Sequence, residues 1–241
     1  MSDSQVLLVD DADGVRTLTF NRPDAMNAFN QELWYATADA LDQAGADDAI
    51  RCVLLTGAGR AFCAGQDLGE MADPSVFEDR EPGYLRFMPV LEAFPKPVVA
   101  AVNGVGVGIG LTMLLHCDLV LMSEQAKLKV PFISLGVTTE ASASVMMPTV
   151  MGWQRAVEVL FTEPWITAEQ AVIDGICLRA VPHDQLMEQA GELARHIGAL
   201  PLGPVMATKQ LMLAGRLDSV RAARLRETAA FEVLVSAVLQ A

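Results

Sequence analysis

Two short apolar runs near the start of the chain, Val6–Asp10 and Val15–Phe20, predict strands, and Asp13-Gly14 between them predicts a hairpin. Asn21-Arg22-Pro23-Asp24 then breaks the pattern. Asn30 is placed to cap a helix reaching about Gly45, because Leu33, Thr37, Ala40, Leu41 and Ala44 recur on one helical face. Cys52–Thr56 and Val98–Val102 are apolar throughout and too short for helices, so both predict buried strands. Gly57-Ala58-Gly59 ends the first, and Pro95-Lys96-Pro97 precedes the second. After a glycine-rich segment the pattern predicts a helix to about Cys117 and a strand over Leu119–Met122. Beyond Gly152 it is mostly helical. Thr167-x-x-Gln170 forms a capping-box pattern for a helix stopping at Gly175, and Ile176–Val181 predicts a last strand. Helices follow from about Asp184 to Ala199, Val205 to Ala214, and Ser219 onward. Alternating strands and helices imply parallel pairing with crossover helices, so an α/β core is expected ahead of a helical tail.

Composition narrows the possible chemistry. With 52% hydrophobic and 20% charged residues the chain can bury a sizeable core. A formal net charge of −13 argues against nucleic acid as a partner. Cys52, Cys63, Cys117 and Cys177 show neither C-x-x-C nor zinc-finger spacing, which points to reduced thiols in a cytoplasmic compartment and no metal site. The N-terminus has no basic n-region followed by an apolar run, so no secretory signal is expected. Val98–Met122 is almost uninterrupted apolar sequence. However, it contains Asn103, His116, Asp118 and four glycines at alternate positions, which suit a buried strand, turn and helix better than a membrane span.

Two segments carry candidate chemistry: Ala61–Leu68, with Ala64-Gly65, and Asn103–Gly110, with Gly104, Gly106, Gly108 and Gly110. Each follows a predicted buried strand. In the second, glycines lead directly into a helix, whose first N–H groups have no partner within it. Dinucleotide binding fails on spacing, because G-x-G-x-x-G would need glycine where Ile109 or Leu111 stands. No phosphate-loop Gly-Lys-Ser/Thr is present either. The same glycines could simply allow close helix–strand packing.

Taken together, these segments resemble the crotonase, or enoyl-coenzyme A hydratase/isomerase, family. The matching pieces are Asn21-Arg22-Pro23 with Asn27-Ala28-Phe29-Asn30, Ala61–Leu68, Pro97–Gly110 and Cys117-Asp118. Pro131-Phe132, Leu135-Gly136 and Ala168-Glu169-Gln170-Ala171 with Gly175 complete the set in the family's order. The resemblance implies an α/β fold, a crotonase-like spiral of ββα units over residues 1–183, and a helical trimerisation region over 184–241. It implies a homotrimer or dimer of trimers acting on an acyl-coenzyme A thioester in fatty acid or other lipid metabolism, with no permanently bound cofactor and no membrane partner. The backbone N–H groups of Gln66 and Ile109 would form an oxyanion hole. Arg22, Met26, Ala28, Ala64, Gln66, Asp67 and Leu68 would line the coenzyme site. Family members commonly continue for about another helix beyond the position of Ala241, so the chain is expected to be truncated or short-ended. The basic residues that would meet the coenzyme's phosphates are not evident, Lys209 and the arginines of the last helix being expected on solvated faces.

The acids then divide the family. Hydratases carry glutamates at the positions matching Thr112 and Phe132, and neither is an acid here. Glu140, among small and uncharged neighbours, resembles the single glutamate of the Δ3,Δ2-enoyl-coenzyme A isomerase branch. A lone base suits a 1,3-proton shift, and an apolar pocket would raise its pKa. Alternatively, Glu140 caps a helix starting near Ala141. His116 is expected as a packed core histidine, Asp118 as structural and Asp67 as a turn cap. An enoyl-coenzyme A hydratase and a non-catalytic acyl-coenzyme A binder are the competing readings.

Overall fold

The computed structural model describes residues 5–78 and 80–239. Among them, strands β1 (Leu7–Ala12), β2 (Val15–Phe20), β3 (Cys52–Gly57), β4 (Ala61–Cys63) and β5 (Val98–Val102) are followed by β6 (Val105–Val107), β7 (Leu119–Ser123), β8 (Lys127–Lys129), β9 (Ile166–Thr167) and β10 (Arg179–Val181). The helices are α1 (Gln31–Ala46), α2 (Leu68–Met71), α3 (Gly83–Glu92), α4 (Ile109–Thr112), α5 (Ala143–Met151), α6 (Trp153–Thr162), α7 (Ala168–Ile173), α8 (Leu186–Gly198), α9 (Leu202–Ala214) and α10 (Leu217–Leu239). A six-stranded sheet has the order β1-β2-β3-β5-β7-β10, and a four-stranded sheet has the order β4-β6-β8-β9. Each of β3, β5 and β7 in the large sheet is thus followed by β4, β6 and β8 in the small one, with helices before the next pair. That repeat is the predicted ββα spiral.

The long elements form where the hydrophobic pattern places them. Asn30 Oδ1 accepts from the Leu33 N–H at 3.0 Å and starts α1, and Leu33, Thr37, Ala40, Leu41 and Ala44 are all buried. Asp13 and Gly14 are both left-handed, at φ 52° and 76°, as a tight hairpin turn requires. Other boundaries move. The predicted helix to Cys117 is instead the short α4 and a 3₁₀ turn, Met113–His116, and the last strand shrinks to Arg179–Val181. Thr167 caps α7 through the Gln170 N–H, but the Gln170 side chain turns to Asp174 and completes no capping box.

The tail is less solvated than expected. Leu186, Ala190 and Ala194 of α8 pack against Val15, Leu54, Val99 and Leu121 of the large sheet. Lys209 corrects the expectation of a solvated face: it is 8% exposed, and its Nζ donates to Lys96 O at 2.8 Å and to Asp118 Oδ2 at 2.6 Å. Asp118 also accepts from the Val98 N–H at 2.7 Å, which ties α9 to the start of β5. Arg224 of α10 likewise turns inward, onto buried Glu92 at 2.9 Å. In each pair one charge is buried, Lys209 in the first and Glu92 in the second, and an unpaired charge inside the protein would be costly.

The small sheet positions the site. β4 pairs in parallel with β6, and β6 with β8, so their C-terminal ends emerge side by side. Those ends feed Gly65-Gln66, Gly108-Ile109 and the Phe132–Glu140 segment. Ligands commonly bind at such carboxyl ends.

Candidate active site

Gly65 and Gly108 take backbone conformations that side chains disfavour, at φ 104° and 55°. A Cβ built on Gly108 would lie 3.9 Å from the Gly65 Cα and 3.8 Å from Phe132 Cε1, so both turns and the Phe132 ring meet at one place. Gly110 contributes differently. A Cβ there would collide with Cys63 O, so glycine lets α4 press onto β4. The glycine segment therefore serves close packing at Gly110 and a tight left-handed turn into α4 at Gly108.

The candidate donors, the N–H groups of Gln66 and Ile109, directly follow these two glycines. Gln66 is bridged in parallel to Phe29. The bridging bonds run from the Phe29 N–H to Gly65 O at 2.8 Å and from the Asp67 N–H to Phe29 O at 2.9 Å, which turns the Gln66 N–H the other way. Ile109 opens α4, so its N–H has no partner in its own helix. Its side chain is 3% exposed and faces the core, as an isoleucine here must. The Gln66 side chain is less incidental than expected, because its Oε1 accepts from Trp34 Nε1 at 2.8 Å, fixing the loop against a buried aromatic cluster.

The loop after β2 forms a neighbouring wall. Met26 and Asn27 are left-handed, at φ 50° and 57°. Buried Asn27 sustains the turn by donating to Ala58 O at 2.9 Å and Ala61 O at 2.7 Å, and it accepts from the Arg22 N–H at 2.9 Å. Met26 O accepts from the Ala64 N–H at 3.0 Å. Arg22 pairs with Asp67 at 2.9 Å and donates to Ala28 O. Asp67 also caps α2 through the Gly69 and Glu70 N–H groups. Burial pushes the Asp67 carboxyl up, but Arg22 and these N–H groups outweigh it and hold the pKa below the usual value. The structure thus gathers Arg22, Met26, Ala28, Ala64, Gln66, Asp67 and Leu68 on adjoining loops. Met26 and Leu68 are exposed, at 36% and 59%.

Glu140 lies on the third segment. Its Oε1 accepts from the Thr112 hydroxyl at 2.6 Å. It does not cap α5: that helix starts at Ala143, and its Ser142 and Ser144 N–H groups are capped from α10 by Glu227. Burial is the main cause that pushes the Glu140 pKa up to about 7; the Thr112 hydrogen bond opposes it and the charge of Glu227 adds to it. The same Glu140 charge acts on buried Cys63, just before the Gly65 turn. Burial raises the Cys63 thiol to about 12, which leaves it no nucleophile at neutral pH.

The turn carrying Glu140 is strained and held. Ala141 and Ser142 adopt φ 54° and 62°, which costs roughly 1–2 kcal/mol per non-glycine residue. The Tyr84 hydroxyl accepts from the Ala141 N–H at 2.8 Å, and Ala141 O accepts from His116 Nε2 at 2.7 Å. Burial depresses His116 to about 4, so it is neutral, as expected of a core histidine. Tyr84, Glu92 and Glu227 left no pattern in the sequence that marks this role. Among the described residues no cluster of His, Cys, Asp and Glu could hold a metal ion, and no helix is long and apolar enough to cross a membrane.

The raised pKa makes a stability prediction. Between pH 4.5 and about 7 the unfolded chain ionises at Glu140 while the folded one resists, so stability is lost as pH rises through that window. Glu140→Gln is therefore expected to stabilise the fold at pH 8 by about 1–3 kcal/mol, or ~2–4 °C in Tm per kcal/mol. The gain should vanish below pH 4.5, where the reference carboxyl is itself protonated. Thermal melts of both proteins across this range test it, and a gain that does not change with pH refutes burial as its source.

Comparison with known proteins decides the family. Residues 10–237 match the Enoyl-CoA hydratase/isomerase family. The chain belongs to this family, the crotonases. Among its crotonase relatives, the 1,2-epoxyphenylacetyl-CoA isomerase of Escherichia coli is 39% identical over 78% of this chain and 74% of its own length. The 4-chlorobenzoyl coenzyme A dehalogenase-2 of an Arthrobacter species is 34% identical over 80% of this chain and 72% of its own. The 2,3-dehydroadipyl-CoA hydratase of Escherichia coli is 31% identical over 95% and 90%. A solved enoyl-CoA hydratase/isomerase from Pseudoalteromonas atlantica superposes with a TM-score of 0.93 at 35% identity, covering 95% of this chain and 91% of that one. Crotonases act on coenzyme A thioesters without a permanent cofactor, and isomerases, hydratases and dehalogenases are all among these relatives.

Proposed function

We propose that this crotonase catalyses Δ3 to Δ2 isomerisation of enoyl-coenzyme A thioesters, with Glu140 as its one base. One observation carries the reading: a partly buried carboxyl, raised toward neutral pH, bonds Thr112 on the short helix whose first N–H belongs to Ile109. The Glu140 carboxylate removes a proton from C2. The electron pair moves onto the thioester oxygen, giving a dienolate that accepts hydrogen bonds from the Gln66 and Ile109 N–H groups. The Glu140 carboxylic acid then returns the proton to C4. The double bond moves from C3–C4 to C2–C3, and the base is regenerated. Arg22, Met26, Ala28, Ala64, Asp67 and Leu68 line the coenzyme side, where Met26 and Leu68 offer exposed apolar surface. Hydration would need a second acid–base group to manage the water. The positions that could supply it hold Thr112, bonded to Glu140, and Phe132, 9% exposed.

A second reading takes its substrate from the relative at 39% identity: ring-epoxide isomerisation of a phenylacetyl thioester at the same enolate site. Incubation with 3-enoyl-, 2-enoyl- and 1,2-epoxyphenylacetyl-coenzyme A separates the readings by product. Isomerisation of the first substrate is expected. Hydration of the second would overturn the argument from Thr112 and Phe132, and turnover of the third alone would favour the second reading. Binding without turnover of any would favour a non-catalytic binder. Because Glu140 works as the anion, kcat/KM should fall tenfold per pH unit below about 7 and level off above it. A profile flat down to pH 5 would place the base elsewhere.

A further inference from the structure

Behind Glu140 lies a set of buried polar groups that touches no reacting atom. Glu227 of α10 is 5% exposed. Its two carboxylate oxygens accept from the Ser142 N–H at 2.7 Å and the Ser144 N–H at 2.8 Å. Ser142, the residue before α5, offers that helix no side-chain cap. Its hydroxyl donates instead to Val220 O on α10, at 2.8 Å. The start of α5 is therefore completed from α10. The residues it follows, Ala141 and Ser142, are the left-handed pair adjoining Glu140. Left to themselves, alanine and serine rarely hold that conformation. A relaxed turn would rotate the peptide between Glu140 and Ala141 and swing the Glu140 side chain off Thr112.

We propose that Glu227 is a positioning residue: by capping α5 it keeps the Ala141–Ser142 turn left-handed and so aims the Glu140 carboxylate into the site. The inference rests on Glu140 being the base. It links the docking of α10 to catalysis, since helix and capping carboxylate arrive together.

Other charged and titratable groups surround the turn. Arg224 and Arg221 lie on α10 itself, and α3 contributes Glu92 and Tyr84. Arg224 is engaged by Glu92 at 2.9 Å. His116 is neutral and bonded to Ala141 O, and Arg216 adds positive charge nearby. The Glu227 charge itself pushes the Glu140 pKa upward. Removing that charge should therefore make Glu140 easier to ionise.

The test compares wild type, Glu227→Gln, Glu227→Ala and Glu140→Gln on a 3-enoyl-coenzyme A substrate. In Glu227→Gln the amide oxygen can serve one N–H, while its NH₂ opposes the other. The plateau kcat is expected to fall by ~10–10²-fold, the scale of a misplaced catalytic group. KM should stay within roughly threefold, because thioester binding is untouched. The acid limb of the pH profile should move to lower pH, which a merely structural role would not produce. Glu227→Ala carries the same expectations and serves if the glutamine variant does not fold. An unchanged plateau kcat, an unmoved acid limb, or a kcat loss matched by lost thioester affinity overturns the proposal, provided Glu140→Gln is inactive. If Glu140→Gln isomerises at the wild-type rate, the reading of Glu140 itself has failed, whatever Glu227 does.

Discussion

Glu140→Gln is expected to bind a coenzyme A thioester with near wild-type affinity and to isomerise 3-enoyl substrates ~10²–10⁴-fold more slowly, the usual contribution of a positioned general base. Glutamine keeps the size of the side chain and can still accept from the Thr112 hydroxyl, which lies 2.6 Å from Glu140 Oε1. Only the proton acceptor is lost. The Gln66 and Ile109 N–H groups and the Arg22–Asp67 wall are unaffected, so affinity for a saturated thioester should persist. Solvent deuterium should also stop entering C2 of that thioester, if the wild type shows the exchange. The same variant is the one expected to gain stability at pH 8. A single substitution would then trade activity for stability because one partly buried carboxylate is responsible for both. Steady-state kinetics beside calorimetric binding measure the two sides, and wild-type turnover by the variant would move the base away from Glu140.

Proline at position 109 is the second large effect. Ile109 is the first residue of α4, where proline's missing N–H leaves no helical bond unmade. The preceding residue is Gly108 at φ 55° and ψ −118°, a conformation glycine can keep before proline. Ile109→Pro should therefore fold, although it also loses core packing. Deletion of one oxyanion donor typically costs ~10²–10³-fold in kcat. Ile109→Ala, which empties the same core space but keeps the N–H, separates the two effects and should retain most of its kcat. Gln66→Pro removes the other donor and should act in the same direction, whereas Gln66→Ala keeps it and loses only the hydrogen bond to Trp34. Circular dichroism establishes folding and steady-state rates decide. A folded Ile109→Pro protein as active as Ile109→Ala would exclude this N–H from the mechanism.

The sequence alone determined the parts whose physics is local. β3, β5 and β7 are legible as short apolar runs, and α1 by its period and its Asn30 cap. The glycine-rich segments that hold Gly65 and Gly108 are legible, while the two N–H candidates within them, Gln66 and Ile109, came from the resemblance to the crotonases. Glu140 stands out as a lone acid among uncharged neighbours. The three-residue strands β4, β6 and β8 were not legible, since so short a stretch has no period and becomes a strand only through its neighbours' hydrogen bonds. Tertiary structure alone decided that Thr112 meets Glu140, that Lys209 and Arg224 turn inward onto Asp118 and Glu92, and that Glu227 caps α5. Each of these joins residues far apart in the chain. Such pairings leave no periodic trace in the sequence, and they form because a buried charge or N–H group must find a partner wherever the fold brings one within reach.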